Sequence, residues 1–354
     1  MSAGALAALP LMTRARLSRL VACGDPRDTF LAVVNGERPL AGVDEHVWEA
    51  WESCGGLDEL IEERCADAAV RVTWRGACDY PGQLLGDPDA PAVLFWRGDT
   101  AALNARRVGI VGTRRCTAAG AHLARRLGAD LALNGVAVVS GLARGIDVNA
   151  HRGALSVAGA APVGVVASGT DVVYPPEHAR EWDEVARRGL LLSEWPPGTE
   201  PDRHRFPLRN RILAALSEVL VVVESRARGG SMITVTEAAR RGATVMAVPG
   251  APTLAVAEGT NNLLKDGCAP VTDVDDVLVA LGLDNSRTVR QVDTRPAPTR
   301  EEETVLAVLH GMPRTVEQVV TECGVDAFGA GRLLGSLEAK GRARHTNGWW
   351  EALR

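Results

Sequence analysis

The chain of 354 residues has almost no lysine. Lys265 and Lys340 are the only two, so nearly every cation is an arginine, whose charge is fixed near neutrality. No G-x-x-x-x-G-K-[ST] occurs and neither lysine lies in such a loop, which excludes a P-loop nucleotidase. The first glycine loop reads Gly109-Ile-Val-Gly112-Thr-Arg-Arg-Cys116 rather than G-x-G-x-x-G, and no acid follows Ser140-Gly141 to hold a ribose, which disfavours NAD. There is no G-x-S-x-G elbow, and His151, His178 and His204 have neither a nucleophile nor a metal-ligand partner at useful spacing. The seven cysteines are scattered, never as C-x-x-C, and read as reduced thiols. No apolar run of about 18 residues exists for a membrane span, and the N-terminus lacks a charged-then-apolar signal layout. The expectation is a cytoplasmic protein without metal, cofactor or membrane.

What remains is locally basic on an acidic background. Net charge is -5, so any polyanion footprint must be concentrated rather than spread as a coat. Arginine abundance alone follows from GC-rich coding as readily as from function. One stretch stands apart: from Arg203 to Ser217 there is no acidic residue, while Arg205, Phe206, Arg209, Asn210 and Arg211 enter a helix together. Guanidinium forks match phosphate geometry, a helix N-terminus adds unpaired N–H donors, and Phe206 offers a face to a base. Phosphate plus base points to nucleic acid.

The length suggests two or three domains. Residues 1–66 carry apolar residues at helical spacing, such as Leu17, Leu20 and Val21 or Val47, Trp48 and Trp51, and read as a small helical module, SAM-like or helix-hairpin-helix-like. Arg71–Trp74 and Ala92–Trp96 have strand character. From Arg107 short β-branched runs alternate with helical stretches: Val108–Val111, Val136–Val139, Pro162–Val166, Leu190–Leu192, Val219–Val223 and Thr244–Val248. Strands that are apolar throughout are buried on both faces, so residues 67–283 are expected to form a doubly wound, mostly parallel α/β sheet. Residues 284–299 read as a linker, and 300–354 as three helices and a β-hairpin, a winged helix.

Ligands of open α/β sheets bind beyond the carboxyl ends of the strands. There this chain has Gly112-Thr113-Arg114, Ser140-Gly141-Leu-Ala-Arg144, Ser168-Gly-Thr-Asp171 and Glu224-Ser-Arg-Ala-Arg-Gly229-Gly230-Ser231. Tight strand-to-helix turns need glycine for structure alone, but four such loops on one edge offer backbone donors to an anion. Glu237, one turn into the helix after the last of them, is the one carboxylate placed to act as a base in N-glycosidic cleavage.

These blocks resemble the DNA-processing protein A (DprA, also called Smf) family. They run in order over roughly 107 to 267: Val111-Gly-Thr-Arg114, Ser140-Gly-Leu-Ala-Arg-Gly-Ile-Asp147 with His151, Gly169-Thr-Asp171 with Tyr174-Pro175, Ser193-Glu194, Phe206-Pro-x-Arg-Asn-Arg211, and Ala247-Val-Pro-Gly250 followed by Gly259-Thr-Asn261. The resemblance implies that the central domain is an extended Rossmann fold, and that the protein is a homodimer without catalytic turnover that binds single-stranded DNA and loads RecA recombinase during natural transformation. It implies DNA contacts from Gly112, Thr113, Arg114, Ser140, Gly141, Arg144, Phe206, Arg209, Asn210, Arg211, Gly230 and Ser231, with Arg205 an alternative to Arg209. His178 stands where the family pattern has asparagine. The tail's third helix holds only Arg332 and Lys340 as cations, so protein contact is expected there rather than base reading, although Arg342, Arg344 and His345 could touch phosphate. The competing expectation is a Rossmann-like nucleoside monophosphate phosphoribohydrolase, from whose P-G-G-x-G-T pattern Arg228-Gly-Gly-Ser-Met232 departs.

Overall fold

The computed structural model describes residues 2–283, 295–310 and 312–353, so the linker expected over 284–299 falls largely outside the described residues. The chain divides into two compact units, residues 1–116 with 124–285 and residues 117–123 with 286–354.

The first unit opens with helices α1 (Ser2–Ala8), α2 (Arg14–Val21), α3 (Pro26–Val34), α4 (Glu45–Glu52) and α5 (Leu57–Asp67). Thr13 and Asp25 cap α2 and α3 by accepting the Arg16 and Arg27 amides at 3.2 and 2.8 Å, and Pro26 takes the first turn, where its missing N–H costs nothing. Their apolar faces close over Leu20, Phe30, Trp48 and Trp51. The Trp51 indole N–H donates to the Pro10 carbonyl at 2.8 Å, which satisfies the one polar atom this ring buries.

Next come β1 (Arg71–Trp74), α6 (Gly82–Leu85), β2 (Val93–Gly98), β3 (Arg107–Val111), α7 (Ala118–Leu133), β4 (Ala137–Ser140), α8 (Ile146–Leu155), β5 (Val163–Val165), α9 (Ala179–Arg188) and β6 (Leu190–Ser193). The unit ends with α10 (Arg205–Leu216), β7 (Val219–Val222), α11 (Ser231–Arg240), β8 (Thr244–Ala247), α12 (Glu258–Lys265), β9 (Ala269–Pro270) and α13 (Val274–Ala280). Among the described residues the strands form one nine-stranded sheet in the order β1-β2-β6-β5-β4-β3-β7-β8-β9. From β6 to β9 every pairing is parallel; β1 and β2 join antiparallel. The six β-branched runs are thus the parallel core of an α/β sheet, and β4, β5, β6 and β7 are buried at every position. In β2 alternate residues serve two cores: Phe95 packs with the N-terminal helices, Leu94 and Trp96 with the central sheet.

The order reverses between β3 and β7. After β3 the chain moves outward through β4, β5 and β6, then returns by α10 to lay β7 on the other side of β3. Loops leaving the carboxyl ends of β3 and β7 therefore diverge and leave a crevice. On the flank, α7 and α8 touch backbone to backbone: a Cβ on Gly153 would collide with the Arg125 carbonyl, and one on Gly128 with the Ala150 carbonyl.

The second unit holds α14 (Arg300–Leu309), α15 (Val316–Cys323), α16 (Ala327–Ala339) and the hairpin β10 (Ala343–Thr346) and β11 (Trp349–Ala352). Thr299 with Glu302 and Thr315 with Gln318 make reciprocal caps on the first two helices. The hairpin loop is Asn347-Gly348, both at positive φ, as a two-residue turn between right-twisted strands requires. Leu306, Leu309, Val319, Leu333, Leu334 and Leu337 fill its core.

Because the α7–α8 contact is backbone against backbone, it has no flexible side chain to yield. Gly153→Ala is expected to destabilise the first unit by about 1–3 kcal/mol, the range for overpacking a closed contact. Gly55→Ala, whose Cβ meets nothing within 4 Å, should be neutral by comparison. Denaturant midpoints of the two variants check this.

Candidate functional site

The crevice at the β3/β7 reversal is a cavity of about 650 Å³, within the ~300–1,000 Å³ usual for ligand sites. Its walls are Gly112, Thr113 and Arg114 after β3, Gly229 and Gly230 before α11 with Ser231 at its start, and Phe206, Arg209, Asn210 and Leu213 of α10. Five arginines (Arg114, Arg115, Arg203, Arg209 and Arg226) face it against one carboxylate, Asp147. Two loops are tied across it by the Thr113 amide donating to the Glu224 carbonyl at 2.7 Å.

Helical periodicity decides which residues of the basic stretch arrive. Phe206, Arg209, Asn210 and Leu213 follow i, i+3, i+4, i+7 and share one face of α10, so all four line the cavity. Arg211 lies off that stripe. It is buried and paired with Glu194, also donates to the Asp89 carbonyl at 2.6 Å, and does not line the cavity. Arg205 also turns away, donating to the Glu200 carbonyl with its guanidinium 5.9 Å from the Trp195 ring centroid. Of Arg205 and Arg209, it is Arg209 that reaches the crevice.

Arg209 forms the floor. It is only 3% exposed, and its Nη1 donates to the Val165 carbonyl at the end of β5. The guanidinium lies against Gly141, where a Cβ would overlap Nη1, so glycine is required at that position by this packing. Burial pushes the Arg209 pKa down to about 10, against the pull of Asp147, so the cation persists at neutral pH. Its Nε has no partner among the described residues.

Asp147, in the first turn of α8, is 7% exposed, and the backbone amides of Gly141 and Ala143 favour its charged form. Burial raises its pKa to about 6, opposed by Arg209 and Arg114. Ser140 is wholly buried and its hydroxyl donates to the Ile110 carbonyl at 2.6 Å, so this residue joins β4 to β3 rather than facing the crevice. Ser231 is also buried and donates to Ser225 Oγ at 2.8 Å, whereas Gly230 has open space where a Cβ would stand.

At the rim Arg114 is exposed and its guanidinium sits 4.5 Å over the Phe206 ring, with Tyr174 5.7 Å from that ring on another side. Arg144 pairs with Glu177, both about half exposed, a contact weak enough for a phosphate to displace. Arg144 borders a smaller recess beside Arg114, Gly141, Tyr174 and Phe206. His178 is buried, its Nδ1 2.8 Å from the Leu142 carbonyl, so it braces this loop from within. His151 is wholly buried and held neutral, its pKa pushed down to about 4 by burial. Glu237 is engaged by Arg240 at 3.3 Å and by Arg241, and does not line the cavity.

Reading strand-end loops one at a time misses Arg226, Arg115, Arg203 and Tyr174. A strand order would have marked Arg226 and Arg115, since both follow the two strands that flank the reversal.

Two consequences are measurable. Removing one member of a buried ion pair leaves the other uncompensated, so Arg211→Ala is expected to lose about 3–5 kcal/mol of stability. Arg114→Ala, on an exposed residue, should melt like the parent. For Asp147, folding raises the pKa from 3.8 to about 6, so the native state holds this proton more tightly than the unfolded chain. Stability is therefore lost as pH rises from about 4 to 6, by about 2–3 kcal/mol. Asp147→Asn should abolish that loss, seen as a wild-type advantage over the variant that grows on acidification in denaturant titrations at pH 4.5 and 7.

The family described as DNA recombination-mediator protein A matches residues 71–282. The chain is 39% identical over 203 residues to DNA processing protein DprA of Bacillus subtilis, covering 57% of this chain and 68% of that protein. It is 38% identical over 256 residues to the putative DNA processing protein DprA of Mycobacterium tuberculosis, covering 70% of this chain and 65% of that one. The X-ray structure of DNA processing protein A from Streptococcus pneumoniae aligns with a TM-score of 0.68 at 29% identity, over 77% of this chain and 95% of that chain. DNA processing protein A from Helicobacter pylori, solved for its single-stranded DNA binding mode, aligns with a TM-score of 0.54 at 28% identity, over 60% of this chain and 95% of that one. The chain belongs to the DNA recombination-mediator protein A family.

Proposed function

We propose that this protein binds single-stranded DNA in the arginine crevice and acts as a recombination mediator, presenting the strand to RecA recombinase as a homodimer in the cytoplasm during DNA uptake. The observation that carries the reading is the convergence of five arginines, two of them on opposite sides of the β3/β7 reversal, with the Phe206 and Tyr174 rings at one rim. Arg114 and Arg226 supply fixed charge to a phosphodiester backbone, and Arg209 adds a field from below. The ring faces accept bases without reading their edges, which makes the contact tolerant of sequence. Gly112, Thr113 and Gly230 let the backbone come close to phosphate. Arg211 and Ser140 support this wall rather than touch the ligand. Among the described residues no helix is long and apolar enough to cross a membrane.

The C-terminal three helices and hairpin support reading residues 300–354 as a winged helix beyond a linker, with residues 1–66 as the helical module and 67–283 as the DNA-binding domain. Within 300–353 eight acidic residues face six basic ones. Arg332 pairs with Glu301 at 3.3 Å, Lys340 with Glu302 at 2.6 Å and Arg314 with Glu322 at 2.9 Å. Cations already paired in this way favour protein contact over duplex binding.

Labelled oligothymidine titrated across salt concentrations should give a log-log slope of about -0.7 per phosphate neutralised. Arg114→Ala and Arg226→Ala should each flatten that slope by about one such increment and weaken binding at every sequence alike. Duplex bound as tightly as single strand, or slopes unchanged in both variants, would refute the reading. Incubation with nucleoside monophosphates should release no free base, by chromatography.

A further inference from the structure

In an anion crevice a buried carboxylate is out of place, and Asp147 is one. It lies on the wall shared with Gly112, Arg114 and Arg209, 93% removed from solvent by its 7% exposure. The backbone amides of Gly141 and Ala143, together with the Arg209 and Arg114 guanidiniums, favour its charged form, so the loop after β4 already faces an anion. The α8 end of the crevice thus already contains its anion, and the Ile146 amide is committed to the Thr113 carbonyl at 3.3 Å. Ligand phosphate is left the opposite wall, where Arg226 and Gly230 are open.

Resting on the single-strand reading above, we propose that Asp147 is a specificity-determining residue that narrows the advantage the five arginines would otherwise give a doubly charged terminal phosphate over a singly charged internal phosphodiester. Each unit of ligand charge meets the same repulsion from this carboxylate, so a dianion is penalised twice as much in free energy as a monoanion. Arg209, buried beside it, offsets the carboxylate without leaving net positive charge on the floor, so the attraction comes from rim arginines that a backbone phosphate can reach from outside. Nucleotides and phosphate ends abundant around DNA are dianions above their second pKa of about 6. A carboxylate at this depth lets the protein take the middle of a strand in their presence.

The test is competition against labelled oligothymidine at pH 8, where Asp147 and a phosphomonoester are both ionised. The competitors are thymidylyl-thymidine, a monoanion, and thymidine 5′-monophosphate, a dianion with the same base. In Asp147→Asn the inhibition constant for the dinucleotide is expected to improve by about 3- to 10-fold and that for the monophosphate by about the square of that factor, about 10- to 100-fold, at the effective dielectric of a protein surface. Asp147→Glu, which keeps the charge, should hold the ratio of the two constants near the parent value. Asp147→Ser gives a second neutral variant if the asparagine variant does not fold, as judged by circular dichroism. Equal improvement for both competitors, or loss of both, overturns the proposal. A wild-type protein that takes up no oligothymidine overturns the single-strand reading itself, and this inference with it.

Discussion

Burying the Arg209 guanidinium is the constraint around which the crevice is organised. A permanent cation taken out of water is costly unless a carbonyl and a carboxylate meet it. Here the Val165 carbonyl ends β5, Asp147 lies in the first turn of α8, and Gly141 follows β4 without a side chain, so three segments of the sheet must be in register to receive one side chain from α10. The same requirement explains why β4 ends in serine and is followed by glycine. Ser140 ties its strand to the Ile110 carbonyl of β3, and Gly141 leaves room for the arginine.

From this floor the division of labour among the arginines follows. Arg211 and Arg241 are structural, the first held by Glu194 and the second by Asp87 and Glu237, and together they fasten α10 and α11 to the segment after α6. Arg114, Arg115, Arg203 and Arg226 remain exposed. Side chains with no buried partner are the ones that a polyanion can recruit without breaking the fold, and their charge is concentrated where the sheet order reverses. A net charge of -5 for the whole chain is compatible with this, because the field that matters is local and the acidic residues pair elsewhere.

Much of the architecture was legible in the sequence. The apolar runs from Val108 to Val223 lack polar alternation, and the sheet buries them on both faces for that reason, whereas β8 nearer the edge begins exposed at Thr244. The Asn347-Gly348 turn and the Thr299 and Thr315 caps are equally local signals. The basic stretch is visible in the sequence as a stretch, while its sidedness depends on which helix face the sheet receives. The helical spacing of Phe206, Arg209, Asn210 and Leu213 places one face on the crevice and leaves Arg211 to an ion pair with a residue from the end of β6.

By itself, then, the sequence determined what depends on neighbours along the chain: strand and helix character, caps, turns, the small-residue loops and an uncommonly acid-free basic segment. Only the tertiary structure decided that β7 returns beside β3, that Arg226 therefore joins Arg114, that Arg209 is sunk and Arg205 turned aside, and that Asp147 sits in the crevice as a resident anion. The physical reason is that charge acts through space. Which arginine meets a phosphate depends on which strands lie side by side, and that is settled by long-range pairing and burial that no local pattern encodes.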